Sequence, residues 1–281
     1  MKDHEEKHCA MTLMNPIPTG LLPQGVLSHK AEAVLFDIYG TLFISGSGNI
    51  GIAEKDSENA YKLNLLFQKF SIKDPVENVL KTFFSEIEKA HATLRSKGVD
   101  FPEIRVEEIW KTVFGKANME NVLDFSIEYE MCMNPVSPMP NAMETLDYCR
   151  DKNVWMGIIS NAQFYTPRLF NIFFKADLAS LGFDRDLIFL SYQLGYAKPS
   201  SYLFQQAVLK LAQKKISPES VIYVGNDMLN DICPAQKAGF QTALFAGDKR
   251  SLRLRNDDPR CKNLKPDLVI TDLIQLLDHI Q

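Results

Sequence analysis

Short apolar runs recur along the chain, and helical stretches separate most of them. The first run, at 33–37, is continuously apolar until it ends in a carboxylate. Comparable runs follow at 154–160, 187–190, 221–225 and 242–245. Continuous apolar runs of this length are typical of strands buried on both faces, and strands that alternate with helices are joined by right-handed crossovers. The pattern therefore predicts an α/β fold with a mostly parallel, doubly wound sheet.

The segment between residues 50 and 134 has a different period and contains no comparable strand-like run. Its apolar residues recur at the spacing of one helix face. They include Val76, Val79, Leu80, Phe83, Phe84, Ile87 and Leu94. The segment is therefore predicted to be helical.

The borders of this helical segment have the composition of linkers. A Gly/Ser stretch lies at 45–49 and a Pro-rich stretch at 134–140, and both compositions favour flexible or extended connections. A length of 281 residues leaves room for a core domain with an insert. We therefore expect a helical domain at 47–136, inserted into a core formed by 31–46 and 137–281.

Residues 1–30 show no sustained hydrophobic period and carry three prolines, at positions 16, 18 and 23. Segments of this kind at a chain terminus are poorly ordered unless something holds them. The first 30 residues are therefore expected to form an extended arm or a loose tail.

Composition and charge narrow the range of partners. With 46% hydrophobic and 23% charged residues, the chain has the composition of an ordinary globular protein. A net charge of −4 gives no reason to expect nucleic-acid binding. There is no apolar stretch long enough to span a membrane and no apolar signal-peptide core, and the five cysteines are scattered. These features predict a cytoplasmic monomer or homodimer with neither membrane nor nucleic-acid partner.

Polar residues of the types used in catalysis and ligand binding follow four of the predicted strands, either directly or after a short loop. In open parallel sheets, ligands bind at the carboxyl ends of the strands, so these side chains are expected to converge. They are Asp37, Ser160, Asn161, Lys198, Asn226, Asp227 and Asp231. Asp37 is followed by Gly40 and Thr41, which allow a tight turn and backbone N–H groups around an anion. Taken alone, Asp37 has an equally good interpretation as a residue that bonds its own turn.

Four segments together, in this order, resemble the four motifs of the haloacid dehalogenase superfamily. They are DIYGTLF, IISNAQ, GYAKPSSYLF and VGNDMLNDICPAQKAGF. The helical insert also lies where that superfamily carries a cap, between the first and second motifs. The resemblance implies a Rossmann-like core with a helical cap, and hydrolase chemistry through a covalent aspartyl intermediate.

The resemblance also implies roles for individual residues. Asp37 would be the nucleophile, which divides one difficult displacement into two easier ones. Thr41 and Ser160 would donate hydrogen bonds to the anionic oxygens of the substrate, with Asn161 in the same motif as Ser160. Lys198 would neutralise charge shared by the nucleophile and the transferring group. The expected partner is therefore a small phosphorylated substrate.

A magnesium ion is the cofactor that the resemblance implies. Mg²⁺ binds carboxylate oxygens, backbone carbonyls and water, and it would screen a phosphoryl dianion from the nucleophile. The expected ligands are Asp37, the backbone carbonyl of Tyr39, and Asp227, with Asp231 or Asn226 bound directly or through water. An alternative role for Asp231 is to cap the helix that follows.

Tyr39 departs from the family's phosphatases, most of which carry an aspartate there as general acid and base. The tyrosine resembles the metal-free dehalogenases, whereas the acid-rich GNDMLND resembles the magnesium enzymes. Three classes therefore stay open: a magnesium-dependent phosphatase of small metabolites, a metal-free 2-haloacid dehalogenase, and a regulatory or binding protein with impaired catalysis. The fourth motif favours the phosphatase, because several carboxylates converging on Asp37 would repel one another without a cation.

Two further segments have both a functional and a structural interpretation. The basic run at 249–265 also contains aspartates, so we interpret it as a solvated loop rather than an anion-binding patch. The segment at 101–110 has Glu103 and Arg105 near a predicted helix start. We interpret it as an ordinary part of the cap rather than as a segment that faces the active site and selects substrates.

Overall fold

The computed structural model describes residues 13–46, 57–115 and 121–280. These residues form nine strands. They are β1 (Gln24–Gly25), β2 (Ala33–Phe36), β3 (Phe43–Ser45), β4 (Val136–Pro138), β5 (Trp155–Ser160), β6 (Phe183–Leu190), β7 (Val221–Gly225), β8 (Gln241–Phe245) and β9 (Leu268–Ile270).

The same residues form nine α-helices. They are α1 (Ser57–Lys69), α2 (Val76–Ser96), α3 (Val106–Phe114), α4 (Val122–Met133), α5 (Ala142–Asp151), α6 (Thr166–Phe174), α7 (Ser191–Leu194), α8 (Tyr202–Gln213) and α9 (Cys233–Lys237). No helix among the described residues is long and apolar enough to cross a membrane.

Seven strands form one sheet in the order β1-β9-β8-β7-β2-β5-β6. All neighbouring strands run parallel except β1, which pairs antiparallel with β9 at the edge. The chain fills the sheet from β2 outward through β5 and β6, and then on the other side through β7, β8 and β9. The sequence prediction of a doubly wound, mostly parallel sheet is therefore confirmed, and the change of direction beside β2 creates a crevice at its carboxyl end.

Strand β2 is buried on both faces, which explains its continuous apolar run. Val34 and Phe36 pack in one apolar cluster, and Ala33 and Leu35 pack in a second cluster on the opposite face. All four residues are fully buried. This strand, covered by helices on both sides, is a rigid support for the residue that follows it.

Helices α1–α4 lie in the chain between β3 and β4 and have an apolar core of their own. At its centre, Trp110 is fully buried and stacks on Phe83 with ring centroids 3.9 Å apart. Phe125 meets Trp110 edge-on. The helical period predicted for this part of the chain is present, while its independence as a domain stays a prediction.

The two ends of this helical segment are tied together. Strands β3 and β4 pair antiparallel, with Phe43 opposite Pro138 and Ser45 opposite Val136. The predicted Pro-rich linker therefore contributes a strand. Most of the predicted Gly/Ser linker lies outside the described residues, which resume at Ser57.

The described part of the N-terminal segment lies along the core in an extended conformation. The N–H of Met14 donates to Ser137, and the N–H of Ile17 donates to Asp248, each over 2.9 Å. Thr19 donates its hydroxyl to the carbonyl of Ala246. These contacts hold residues 14–19 against the core, while the assignment of residues 1–30 as a separate arm stays a prediction.

Candidate active site

Asp37 lies at the end of β2, inside the crevice of the sheet. Its backbone N–H continues the pairing with β7 by donating to Val224 over 2.9 Å, and its side chain is buried. The chain then turns at Gly40, whose φ is +86°. A Cβ atom at this position would lie 2.7 Å from the amide nitrogen of Asn226. Glycine therefore permits both the left-handed turn and the close approach of the fourth motif.

Lys198 connects two of the predicted carboxylates. Its Nζ lies 2.7 Å from Oδ1 of Asp37 and 2.5 Å from Oδ1 of Asp231. All three side chains are buried. Burial lowers the pKa of Lys198, but the charges of Asp231 and Asp37 outweigh this effect and raise the pKa. The lysine is therefore an ammonium ion at neutral pH and supplies the positive charge beside Asp37.

Asn161 holds the backbone of Lys198 in place. Its Oδ1 accepts the N–H of Lys198 over 2.7 Å, and its Nδ2 lies 3.4 Å from the carbonyl oxygen of the same residue. The neighbouring Ser160, at the end of β5, is buried, and its hydroxyl lies 3.3 Å from the carbonyl oxygen of Asn161. The second and third motifs therefore meet as the sequence predicts, with Asn161 acting on the position of Lys198.

Tyr223 is a member of the site that the sequence interpretation missed. Its hydroxyl lies 2.9 Å from the carbonyl oxygen of Ile159 and 3.0 Å from Oδ1 of Asp231. Nζ of Lys198 lies 3.3 Å from the same hydroxyl. A signal was present in the sequence, because a tyrosine within a fully apolar strand needs a partner for its hydroxyl.

Thr41 lies next to the fourth motif. Its hydroxyl is 3.3 Å from Oδ1 of Asn226, whose Nδ2 donates to the carbonyl oxygen of Ser251 over 2.6 Å. Both side chains are buried. Asn226 therefore joins the turn after β2 to the loop between β8 and β9, and the weak hydrogen bond leaves the Thr41 hydroxyl available to a ligand.

Asp227, rather than Asp231, caps the turn that follows β7. Its Oδ1 accepts from the N–H groups of Leu229 and Asn230, at 2.9 and 3.3 Å. Asp231 instead turns back, and its Oδ2 accepts the N–H of Asp227 over 2.9 Å. The capping interpretation of Asp231 is therefore wrong, since this carboxylate faces Lys198 and the site.

Arg255 enters the site from the basic run and pairs with Asp227. Its Nε lies 3.1 Å from Oδ1, and its Nη2 lies 2.6 Å from Oδ2. The interpretation of the whole run as a solvated loop is wrong at this residue. The sequence did not reveal this pairing, because the loop contains aspartates of its own and the sequence does not show which arginine pairs with a residue outside the loop.

With Arg255 in place, the arrangement of these side chains does not fit a divalent cation. Both oxygens of Asp227 are occupied by the guanidinium of Arg255, and Asp37 and Asp231 share the ammonium of Lys198. Within the described residues, no three His, Cys, Asp or Glu side chains converge as metal ligands. Of the predicted magnesium ligands, the carboxylates of Asp37, Asp227 and Asp231 therefore face protein cations.

Tyr39 follows Asp37 by two residues and has a different environment. Its hydroxyl lies 3.0 Å from the hydroxyl of Thr166. Burial raises the pKa of Tyr39 well above its ordinary value, and the charge of Glu130 adds to this effect. The phenol therefore stays protonated and is a weaker acid than an ordinary tyrosine.

The segment that precedes α3 contacts the core beside the second and third motifs. Glu103 accepts hydrogen bonds from Ser191 and Gln163, at 2.8 and 3.2 Å. The carbonyl oxygen of Phe101 accepts the N–H of Ala197, the neighbour of Lys198, over 2.8 Å. The segment therefore lies beside the second and third motifs, while a role in substrate selection stays a prediction.

The fold and the four motifs are those of a haloacid dehalogenase-like hydrolase. The family model described as a haloacid dehalogenase-like hydrolase matches residues 31–239. The chain belongs to this family, and the resemblance noted from its motifs is confirmed.

The curated relatives are distant in sequence. Haloacid dehalogenase-like hydrolase domain-containing protein 3 of Xenopus laevis is 29% identical over 43% of this chain and 44% of its own length. Ribulose-1,5-bisphosphate 5-phosphatase of Halopiger xanaduensis is 28% identical over 53% of this chain and 59% of its own length. The chain thus spans about half the length of these two relatives. Glyceraldehyde 3-phosphate phosphatase of Methanopyrus kandleri is 24% identical over 89% of this chain and 97% of its own length.

Solved structures share the fold across most of the chain. A 2-haloacid dehalogenase from Pseudomonas syringae pv. Tomato has a TM-score of 0.55 at 18% identity, covering 89% of this chain and 97% of its own. A HAD phosphatase from Thermococcus onnurineus has a TM-score of 0.51 at 19% identity, covering 88% and 96%. At these identities the likeness concerns the fold alone, which dehalogenases and phosphatases share.

Proposed function

We propose that this hydrolase removes the phosphoryl group from a small phosphorylated metabolite through an aspartyl-phosphate intermediate on Asp37. The observation that carries the proposal is the buried contact between Asp37 and Lys198, 2.7 Å long. It places an ammonium beside the nucleophile, where negative charge gathers as a phosphoryl group arrives. Relatives whose names end in phosphatase support the same reaction class.

Lys198 contacts Oδ1 of Asp37, so Oδ2 is the oxygen that attacks phosphorus. The bond between phosphorus and the leaving oxygen breaks, and the leaving group departs as an anion, which takes a proton from water when it is a basic alkoxide. Water then attacks the phosphorus of the aspartyl phosphate, which returns the Asp37 carboxylate and releases inorganic phosphate. Lys198 stays charged throughout and stabilises the oxygens that gain negative charge.

Tyr39 sets the expected class of substrate. Its hydroxyl bonds to Thr166 and its raised pKa makes it a poor proton donor. Substrates whose leaving group departs as a stable anion, such as acyl phosphates, are therefore expected to react faster than ordinary alkyl phosphates.

Helices α1–α4 are proposed to form the cap that covers the substrate, with the Glu103 segment as its contact to the core. Magnesium dependence, a cytoplasmic location and a monomeric or homodimeric state stay predictions. No step of the proposed reaction depends on them.

A panel assay tests the proposal. Wild-type protein and Asp37→Asn are incubated with acyl phosphates, sugar phosphates, nitrophenyl phosphate and 2-haloacids, with and without Mg²⁺, and phosphate and halide are both measured. We expect phosphate release by the wild type alone and a phosphorylated protein in its mass spectrum. Halide release without phosphate release would instead support a dehalogenase, and full activity of Asp37→Asn would show that Asp37 is not the nucleophile.

A further inference from the structure

The Asp227–Arg255 pair has the geometry of a strong ion pair. The guanidinium contacts both carboxylate oxygens through two different nitrogens, Nε and Nη2. The Asp227 side chain is 9% exposed and that of Arg255 is 34% exposed. Paired contacts of this kind are stronger than single ones, and partial burial reduces their screening by salt.

The loop that carries Arg255 is fixed to the fourth motif. The N–H of Arg253 donates to the carbonyl oxygen of Asn226 over 3.0 Å, and the N–H of Met228 donates to the carbonyl oxygen of Arg253 over 2.9 Å. Arg255 follows two residues later with a φ of +54°, a conformation that is uncommon for residues other than glycine. The backbone therefore brings the guanidinium to Asp227 from a fixed direction.

Asp227 has no oxygen lone pair left for a cation while Arg255 is in place. Besides the guanidinium, its Oδ1 accepts from the N–H groups of Leu229 and Asn230. Its Oδ2 accepts from the side-chain amide of Asn230 over 3.0 Å. A carboxylate offers about four acceptor positions, and five N–H donors already face this one.

The charges of the site lead to the same conclusion. The carboxylates of Asp37, Asp227 and Asp231 face the ammonium of Lys198 and the guanidinium of Arg255. Without Arg255, one ammonium would face the same three carboxylates, and a divalent cation would be attracted more strongly. Arg255 therefore opposes metal binding both by occupying the oxygens and by supplying positive charge.

We propose that Arg255 and a divalent cation compete for the Asp227 carboxylate, so that Arg255 sets the affinity of the active site for Mg²⁺. The competition takes place at the site of the proposed function. The proposal rests on that function only because it assigns Asp227 to the same site as Asp37. A divalent cation would bind Asp227 only in place of the guanidinium, which supplies the counter-charge of this carboxylate.

Magnesium titrations of chelator-treated protein test the competition. Wild type, Arg255→Gln and Arg255→Lys are compared by calorimetry and by the Mg²⁺-dependent rise in Tm. Arg260→Gln is the matched control, because Arg260 lies in the same loop and pairs with Asp258 at an exposed position. We expect Arg255→Gln to bind Mg²⁺ at least tenfold more tightly than wild type, Arg255→Lys to lie between them, and Arg260→Gln to equal wild type.

A second substitution locates the ion. Adding Asp227→Asn to Arg255→Gln should abolish the gain in affinity, since the amide removes the ligand charge. Equal Mg²⁺ responses in wild type and both Arg255 variants, including no response in any of them, would overturn the proposal. A gain that survives Asp227→Asn would overturn it as well.

The outcome is independent of the phosphate-release assay. Equal Mg²⁺ responses in a protein that releases phosphate through Asp37 would refute the competition and leave the proposed function intact. A gain in Mg²⁺ affinity in a protein that releases no phosphate from any substrate would support the competition and count against the proposed function.

Discussion

The Nζ atom of Lys198 lies 2.7 Å from Oδ1 of Asp37, and both side chains are buried. The two residues are 161 positions apart in the chain. The same ammonium contacts Asp231, whose pKa is raised by burial and lowered in part by Lys198. The ammonium of Lys198 thus holds the first and fourth motifs together. Its removal would leave the buried carboxylates of Asp37 and Asp231 without their positively charged partner.

Lys198→Met is expected to lose both activity and stability. Breaking a buried ion pair by removing one partner costs about 3–5 kcal/mol, because the remaining charge is buried without compensation. Urea denaturation at pH 7 measures the change in the free energy of unfolding. The control is Lys210→Met, whose partner Asp186 is exposed, and its change should stay within about 0.5 kcal/mol. Similar values for the two variants would show that the buried pair is not important for stability.

Tyr223→Phe is expected to disturb the positions of Asp231 and Lys198 without removing a contact to the substrate. Loss of the hydroxyl removes its contacts with the carbonyl of Ile159 and with Asp231, which costs about 1 kcal/mol of stability. Kinetics should show a lower kcat with KM nearly unchanged, since the tyrosine acts through the lysine. A rise in KM at constant kcat would instead place the hydroxyl in the substrate pocket.

Tyr39→Asp is expected to accelerate substrates with poor leaving groups selectively. The raised pKa of Tyr39 prevents it from donating a proton, and general acid catalysis contributes about 10²–10⁴ in rate. Rates for a series of phosphate esters, plotted against leaving-group pKa, should fall steeply for wild type and less steeply for Tyr39→Asp. Tyr39→Phe is the control and should keep the steep dependence. Parallel plots for wild type and Tyr39→Asp would mean that residue 39 shapes the pocket only.

Glu130→Gln is expected to stabilise the protein at neutral pH. Burial raises the pKa of Glu130 above 4.5, although hydrogen bonds from Asn134 and Tyr165 lower it in part. The folded state therefore binds this proton more tightly than the unfolded state, and the stability of the wild type falls as pH rises from 4.5 through the raised pKa.

Glutamine carries no charge at any pH, so the gain in Tm of Glu130→Gln over wild type should grow between pH 4.5 and 7.5 and vanish below about pH 4. The exposed Glu108→Gln, from a surface ion pair with Lys111, serves as the control and should show little gain. A constant difference in Tm across this pH range would contradict the expected titration of Glu130.

The sequence by itself determined the fold class and the positions of the four motifs. The apolar runs around Asp37, Ser160 and Asn226 are local patterns, and a parallel sheet brings the carboxyl ends of its strands to one edge. The order of the motifs then placed Lys198 at the same edge. Local hydrophobic period and family resemblance were sufficient for these predictions, and the comparisons with known proteins confirm the fold and the family.

Only the tertiary structure decided which charges face which. Arg255 stands among aspartates in a polar loop, and its pairing with Asp227 depends on backbone hydrogen bonds between segments that sequence periodicity does not connect. Likewise, Tyr223 belongs to an apolar strand, and its hydroxyl contacts Asp231 because the turn after β7 folds back over the end of the strand. Strand formation follows from local patterns, whereas the electrostatics of a buried site depends on distances set by loops.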